Sequence, residues 1–422
     1  MSVSILLLFL LLFFIIIIKK NKWASLLVLT HIVSIGAGLL IDYRFNFSWT
    51  GLLWTFLICF YLYLIIAPWK YLKISGTIAN DFGANFNLYS KIMIGIGLLS
   101  VLFFTPVVIV ISQMDVAVND FKYEGVIDDF FESGAFPIPF KLFILITFFA
   151  NFSILVLPLH FYYLVRGENK MALLALIASF AYVMRGLTYF SRAVPLQYIM
   201  LYGMFFLLFY KEVPKKTLKT IKIIGLIGVT GLLINMMVIS NDRFEEYYSF
   251  NQTEYKINKE KYISDPVIVS YVDYLSMGYY NCYDLLGKYD GHTFKGQTTF
   301  GELLQLLHQY LGVPFSKDEY QNLREKLWPG LWSKSFNGYV AYVVYDFGVV
   351  LSFIITMLYY MIVKRFCKKR RKDISLSHLT WLCLLLQIPL FSIFYSVFGQ
   401  LVLTSIFFFV LNIIFGKHKA TR

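Results

Sequence analysis

Charge is scarce in this chain. Only 15% of its 422 residues are charged, where a soluble domain carries about a quarter, so a soluble globular protein of this size is excluded. Cysteine is scarce as well. Of Cys59, Cys282, Cys367 and Cys383, only Cys282 falls in the long polar segment 240–337, so no disulfide can close within it. There is no metal-ligand cluster, no Gly-rich phosphate loop and no internal repeat, so neither a metal nor a cofactor is expected. The first apolar run has no basic stretch before it and no small-residue cleavage site after it. It therefore reads as an uncleaved helix and not as a signal peptide.

What the chain has in abundance is apolar sequence: 58% hydrophobic and 19% aromatic residues. Several nearly uncharged runs are long enough to cross a hydrocarbon core of ~30 Å as helices. Continuous apolar runs mean helices, because backbone amides cannot go unpaired in lipid. The expected fold is an all-α polytopic membrane protein of about eleven spans, near 2–18, 23–41, 51–67, 92–112, 141–165, 171–190, 194–210, 221–239, 338–363, 376–394 and 398–416. Placing the turn Lys19-Lys20-Asn21-Lys22 inside puts well over half of the 38 lysines and arginines in inner turns, with few acids. The net charge of +13 is thus a topology signal and not a nucleic-acid footprint. The expected divisions are spans one to eight in 1–239, a large outer loop at 240–337, and the last three spans in 338–422 with an inner C-terminus. The N-terminus is then outside.

The 240–337 loop is too long for a passive connector, and its aromatic content is not that of a disordered linker. Apolar and tyrosine residues at helical spacing predict a helix from Val267 to Leu286. A second helix should run from Thr298 through Tyr310, stopped by Gly312-Val313-Pro314, and a third from Lys317 to Leu327. Trp328 and Trp332 read either as rings anchored at headgroup depth or as exposed platforms for sugar stacking.

Arg185 stands inside an apolar run, where a charge costs roughly 2.5–3.5 kcal/mol at mid-helix. On a continuing helix Tyr189 and Arg192 would follow it on one stripe. Two guanidiniums there suit a phosphate or pyrophosphate, since each offers forked donors and stays charged. A structural partner for an acid or for helix-end carbonyls is the plainer reading. Arg243, at the start of the loop, could join that cluster or pair with Asp242 or Glu246. Asp346, with no basic residue within two helical turns, should either pair with an arginine of another helix or act as a base. Asn337 and Tyr339 are expected at the water boundary, suited to sugar hydroxyls. His292 and His308 are weaker candidates for a base.

Asn337-Gly338-Tyr339, then Tyr345-Asp346-Phe347-Gly348 leading into a long span and a basic turn, together with Arg185 and Arg243-Phe244, resembles the Wzy-type O-antigen and capsule repeat-unit polymerases. The resemblance implies a GT-C-like glycosyltransferase of the bacterial inner membrane. Its donor would be a glycan on undecaprenyl pyrophosphate, its acceptor a single lipid-linked repeat unit, and a partner protein would set chain length. It further implies that Arg185, Arg192 and Arg243 bind the pyrophosphate and that Asp346 orients one of them or serves as base. Tyr189, Asn337, Tyr339, Tyr345, Trp328 and Trp332 would hold substrate, without metal. An O-antigen ligase and a flippase of lipid-linked sugars are the alternatives. The sequence thus expects Arg185, Arg192, Arg243 and Asp346 to meet at the base of the loop.

Overall fold

A computed structural model describes residues 21–40, 49–72, 77–112, 140–188, 193–219, 266–328, 336–368 and 374–416, with scattered residues at 10–15, 191 and 221–234. Its helices, in chain order, are α1 (Lys22–Leu40), α2 (Trp49–Ile66), α3 (Phe86–Ser112), α4 (Phe140–Phe152), α5 (Leu157–Val165), α6 (Asn169–Ser179) and α7 (Ala181–Leu187). There follow α8 (Ala193–Phe209), α9 (Pro266–Gly287), α10 (Gln297–Leu311), α11 (Lys317–Leu327), α12 (Gly338–Lys368), α13 (Leu376–Phe391) and α14 (Phe398–Phe415). Strand content among the described residues is one two-residue parallel pair, Ile78–Ala79 beside Ile374–Ser375. Among the described residues, seven helical stretches are long and apolar enough to cross a membrane. The protein is an all-α, multi-pass membrane protein. The expected spans 2–18 and 221–239 lie largely outside the described residues, and each of the others coincides with helix.

The chain forms two compact units. The first comprises 1–73, 253–370 and 385–403, and the second 74–252, 371–384 and 404–422. In the second unit, α3, α5 and α6 are tied by buried hydroxyl and ring bonds: Ser90 to Tyr163 at 2.6 Å and His160 Nδ1 to the Ala172 carbonyl at 2.8 Å. Gly97 lets α3 approach α6 closely, because a Cβ there would meet the Ala178 carbonyl at 2.6 Å. Small residues at such crossings are what lipid-embedded helices use to pack. Asp81 accepts the amide of Ser377 at 3.1 Å and also its hydroxyl, capping the start of α13.

In the first unit, Asn21 caps α1 by accepting the Trp23 amide at 2.8 Å, while its side-chain amide donates to the Lys70 carbonyl at 2.7 Å. Lys364 and Lys368 lie over the Tyr71 ring at 5.9 and 5.1 Å. The turns near 21, 70 and 364–368 therefore share one end of this unit, as their common basic character requires. α9 packs along α1, where Ser34 donates to the Leu275 carbonyl at 2.6 Å and His31 pairs with the Tyr279 hydroxyl. His31 stands roughly 14 Å along α1 from Lys22 at ~1.5 Å per residue. This part of 240–337 thus lies beside a candidate span, at about half its height, and not clear of it.

The feature that organises the first unit is a break in α12. Gly348 has φ 75° and ψ 167°, a region open essentially to glycine alone. Tyr339 lies 17 residues before Thr356, so a straight helix would hold them ~25 Å apart. Their hydroxyls are instead 3.0 Å apart, so the chain folds back sharply and the first half, 338–347, returns against the second. From Val349 to Lys368 the second half extends roughly 30 Å, the thickness of a hydrocarbon core by itself. Its Val350, Leu351, Ile354, Leu358 and Met361 form an exposed apolar stripe, whereas none of residues 338–347 is exposed. The break at Gly348 therefore marks the polar boundary of this span, and 338–347 runs inward from it as a buried half-helix.

Asn337 and Tyr339, expected at the water boundary, are consequently buried. The amides of Gly338 and Tyr339 donate to the carbonyls of Phe394 and Ser392, both at 2.9 Å. These carbonyls lie just past the end of α13 at Phe391, while the Leu385 carbonyl, left free by Pro389 within α13, accepts the Tyr359 hydroxyl at 3.0 Å. Two interrupted backbones satisfy one another, the condition for irregular chain at membrane depth. Replacing Gly348 by Ala should lower stability by ~1–3 kcal/mol, whereas Gly36→Ala, in α1 with nothing within 4 Å of its added Cβ, should be neutral or mildly stabilising. Unfolding midpoints of the purified proteins in detergent check this.

Candidate functional site

The break at Gly348 builds the site. In an unbroken helix the carbonyls of Tyr345 and Asp346 would accept amides four residues on. Here they accept from the loop before α10, with Phe294 N at 2.7 Å from the Tyr345 oxygen and Gly296 N at 2.9 Å from the Asp346 oxygen. Gly296, in the left-handed region at φ 81°, is the N-cap of α10 and has no side chain with which to cap it. Asp346 supplies the cap from 48 residues away. One carboxylate oxygen accepts the Thr298 amide at 3.1 Å and the other the Thr299 amide at 2.9 Å. The carboxyl is 1% exposed, and the positive end of the α10 dipole compensates its charge. The partner of Asp346 is thus a helix N-terminus, neither of the two partners expected from sequence. Each oxygen keeps a lone pair for one further donor.

Beside Asp346 lies a group of residues from α11 and α12. The Tyr320 hydroxyl sits within electrostatic reach of Arg324, Tyr342 and Asp346. Burial pushes it up to about 12, with Arg324 pulling the other way, so it is a neutral donor at physiological pH. The Arg324 guanidinium lies 5.8 Å from the centre of the Trp328 ring. Trp328 is 0% exposed and packs edge-on against Phe294 at 5.0 Å and Tyr342 at 4.8 Å. This corrects both readings of Trp328 as a ring open to headgroups or sugar, since the site's own aromatics cover its faces. Arg324 Nε and Trp328 Nε1 are both buried and without a hydrogen-bond partner among the described residues. Two neighbouring buried donors that lack an acceptor are uncommon in a finished core. Each is a donor with capacity left for an acceptor from outside the described residues.

The other expected residues fall differently. Tyr345 is buried and its hydroxyl donates to the Leu285 carbonyl at 2.8 Å, tying α12 to α9. Arg185 belongs to the second unit and Asp346 to the first. Arg185 donates to the Asn151 side-chain oxygen, and its Nε is buried without a partner among the described residues. The helix on which the stripe was to continue, α7, ends at Leu187. There the Thr188 hydroxyl takes the Arg185 carbonyl, and the Ser191 amide takes that of Gly186. Tyr189, Arg192, Arg243 and Trp332 lie outside the described residues. His292 pairs with Asp290 at 2.9 Å on the surface, and His308 Nδ1 contacts the Val313 carbonyl at 2.8 Å, closing the turn after α10.

Sequence reasoning missed Arg324, Tyr320 and Tyr342. Arg324 sits among Asp, Glu and Lys in a polar helix and reads as a surface charge. The one available signal was its spacing four residues before Trp328. No protein-family model, curated protein or solved structure matches the chain.

Asp346→Ala should leave two buried amides without acceptors and cost about 1–3 kcal/mol. Amide exchange over 297–311 should then quicken by roughly tenfold or more, with less change in Asp346→Asn, which keeps one acceptor. Unchanged exchange in Asp346→Ala would remove the capping role.

Proposed function

We propose that the protein is a glycosyltransferase that polymerises repeat units carried on undecaprenyl pyrophosphate. It would act at the outer face of a bacterial inner membrane, with its C-terminus cytoplasmic and about eleven spans of GT-C-like arrangement. The observation that carries this reading is the pair of buried donors at Arg324 and Trp328 without an acceptor among the described residues, with Tyr320 in electrostatic reach of both Arg324 and the Asp346 carboxylate, at the polar boundary of a span. A lipid pyrophosphate is an anion delivered at that height, and an arginine offers its oxygens forked, permanently charged donors. Arg324 would stabilise the charge that builds on the pyrophosphate as the glycosidic bond breaks, which is electrostatic catalysis. Asp346, with lone pairs left over from its capping bonds, would accept the proton of the attacking acceptor hydroxyl. Arg185, whose Nε is also unsatisfied, is a second anion-binding candidate in its own unit. A ligase that moves the same donor glycan to a different acceptor shares this chemistry.

One observation favours a second reading. Interrupted helices at membrane depth line substrate sites in carriers, and the meeting of the start of α12 with the chain past Phe391 is of that kind. Purified protein reconstituted with lipid-linked repeat units separates the two. A polymerase builds a ladder of longer lipid-linked glycans, and a flippase forms no new glycosidic bond. In that assay Arg324→Ala should lower polymer yield by roughly 10²–10³-fold, the usual loss of a donor that stabilises developing charge, and Arg324→Lys should lower it less. Arg185→Ala should leave the protein inserted and curtail chain length. A ladder of wild-type length from Arg324→Ala would remove that residue from the site, and no ladder from active wild-type preparations would sink the polymerase reading.

A further inference from the structure

We infer that α10 is an in-plane interfacial helix, lying along the membrane surface with one apolar stripe embedded at the headgroup–acyl boundary. Three observations carry this, none of which depends on the proposed activity.

The first is the stripe itself. Phe300, Leu304, Leu307 and Leu311 recur at helical spacing on one line of α10, with Phe300 39% and Leu311 72% exposed. Glu302, Gln305 and His308, also exposed, occupy the opposite arc. Thr299, which faces a third direction, is buried. The helix therefore packs on its Thr299 side and leaves an apolar stripe outward, between the packed side and the polar arc. A helix resting on a soluble core would turn that stripe inward. A helix lying at the edge of a bilayer has an apolar medium to put it in.

The second is height. The first two free amides of α10 are held by the Asp346 carboxylate, and the Gly296 amide by the Asp346 carbonyl. Asp346 is two residues from the break that ends the ~30 Å lipid-length half of α12. The start of α10 is thus fixed at the level where hydrocarbon gives way to headgroups.

The third is continuity. The Phe300 ring meets the Phe347 ring edge-on, with centroids 6.3 Å apart. Phe347 precedes the exposed stripe Val350, Leu351, Ile354, Leu358. Gly296 makes this junction close, since a Cβ on it would lie 3.3 Å from both Phe300 and Phe347. The lipid-facing surface of α12 therefore passes without interruption onto α10. A bilayer that covers one covers the other.

The test uses the full chain, with single cysteines placed at Leu307, Leu311 and Gln305 and labelled with the fluorophore NBD. The wild type, whose four cysteines are buried, measures background labelling. In vesicles of phosphatidylethanolamine and phosphatidylglycerol, the Leu307→Cys and Leu311→Cys labels should emit to the blue of Gln305→Cys. Lipids spin-labelled near the headgroup should quench them at least ~2-fold more strongly. Leu311 makes the more decisive position, being mostly exposed and hence tolerant of substitution. Equal emission and equal quenching at Leu311 and Gln305 would overturn the inference. So would protection from lipid quencher accompanied by disulfide cross-linking between two Leu311→Cys copies, which would give the stripe to a second molecule.

Discussion

A helix interrupted inside or at the edge of a membrane strands backbone carbonyls and amides that water cannot reach, and each needs a partner from elsewhere in the chain. Gly348 imposes that condition on this protein. Its backbone angles turn α12 back on itself and release the carbonyls of Tyr345 and Asp346. The strand of loop before α10 fills them through Phe294 and Gly296. Once Phe294 and Gly296 are placed, α10 begins where its own N-cap is a glycine, so the Asp346 side chain must serve as cap. The Trp328 cluster then packs on Phe294 and Tyr345. Much of the first unit's polar half follows from one residue without a side chain.

Two acids and two arginines of this charge-poor chain are used in contrasting ways. Asp81 and Asp346 each cap a helix remote in sequence, where amide donors and the helix dipole compensate a carboxylate without any cation. Arg185 and Arg324 make no ion pair among the described residues, and both hold a buried Nε with no acceptor. These two arginines, with an Nε unmet among the described residues, are the ones on which the proposed anion site rests.

How much of this was legible in advance differs by residue. The three helices within 240–337 were readable nearly to their ends, because the signals used act locally: apolar and tyrosine residues at helical spacing in α9 and the Gly312-Val313-Pro314 stop after α10. Asp346 was recognisable as an acid out of place, but its partner was not, since a backbone amide 48 residues away has no signature in sequence. Gly348 was visible only as the end of an Asp-Phe-Gly triplet. Trp328 looked like a surface ring because its covers, Phe294 and Tyr342, come from other elements.

Composition and local pattern by themselves determined the class of the protein: too little charge for water, apolar runs of bilayer length, and lysines and arginines concentrated in the turns between them. Those properties depend on the solvent each segment prefers, and a segment's solvent preference is the sum of its own residues. Only the tertiary structure decided that α12 is two half-helices and not one span, that Asn337 and Tyr339 are buried, and which arginines are left with unmet donors. Each of these depends on which distant backbone group fills a vacancy, and pairing between remote segments is a property of the fold, written in no single stretch of the chain.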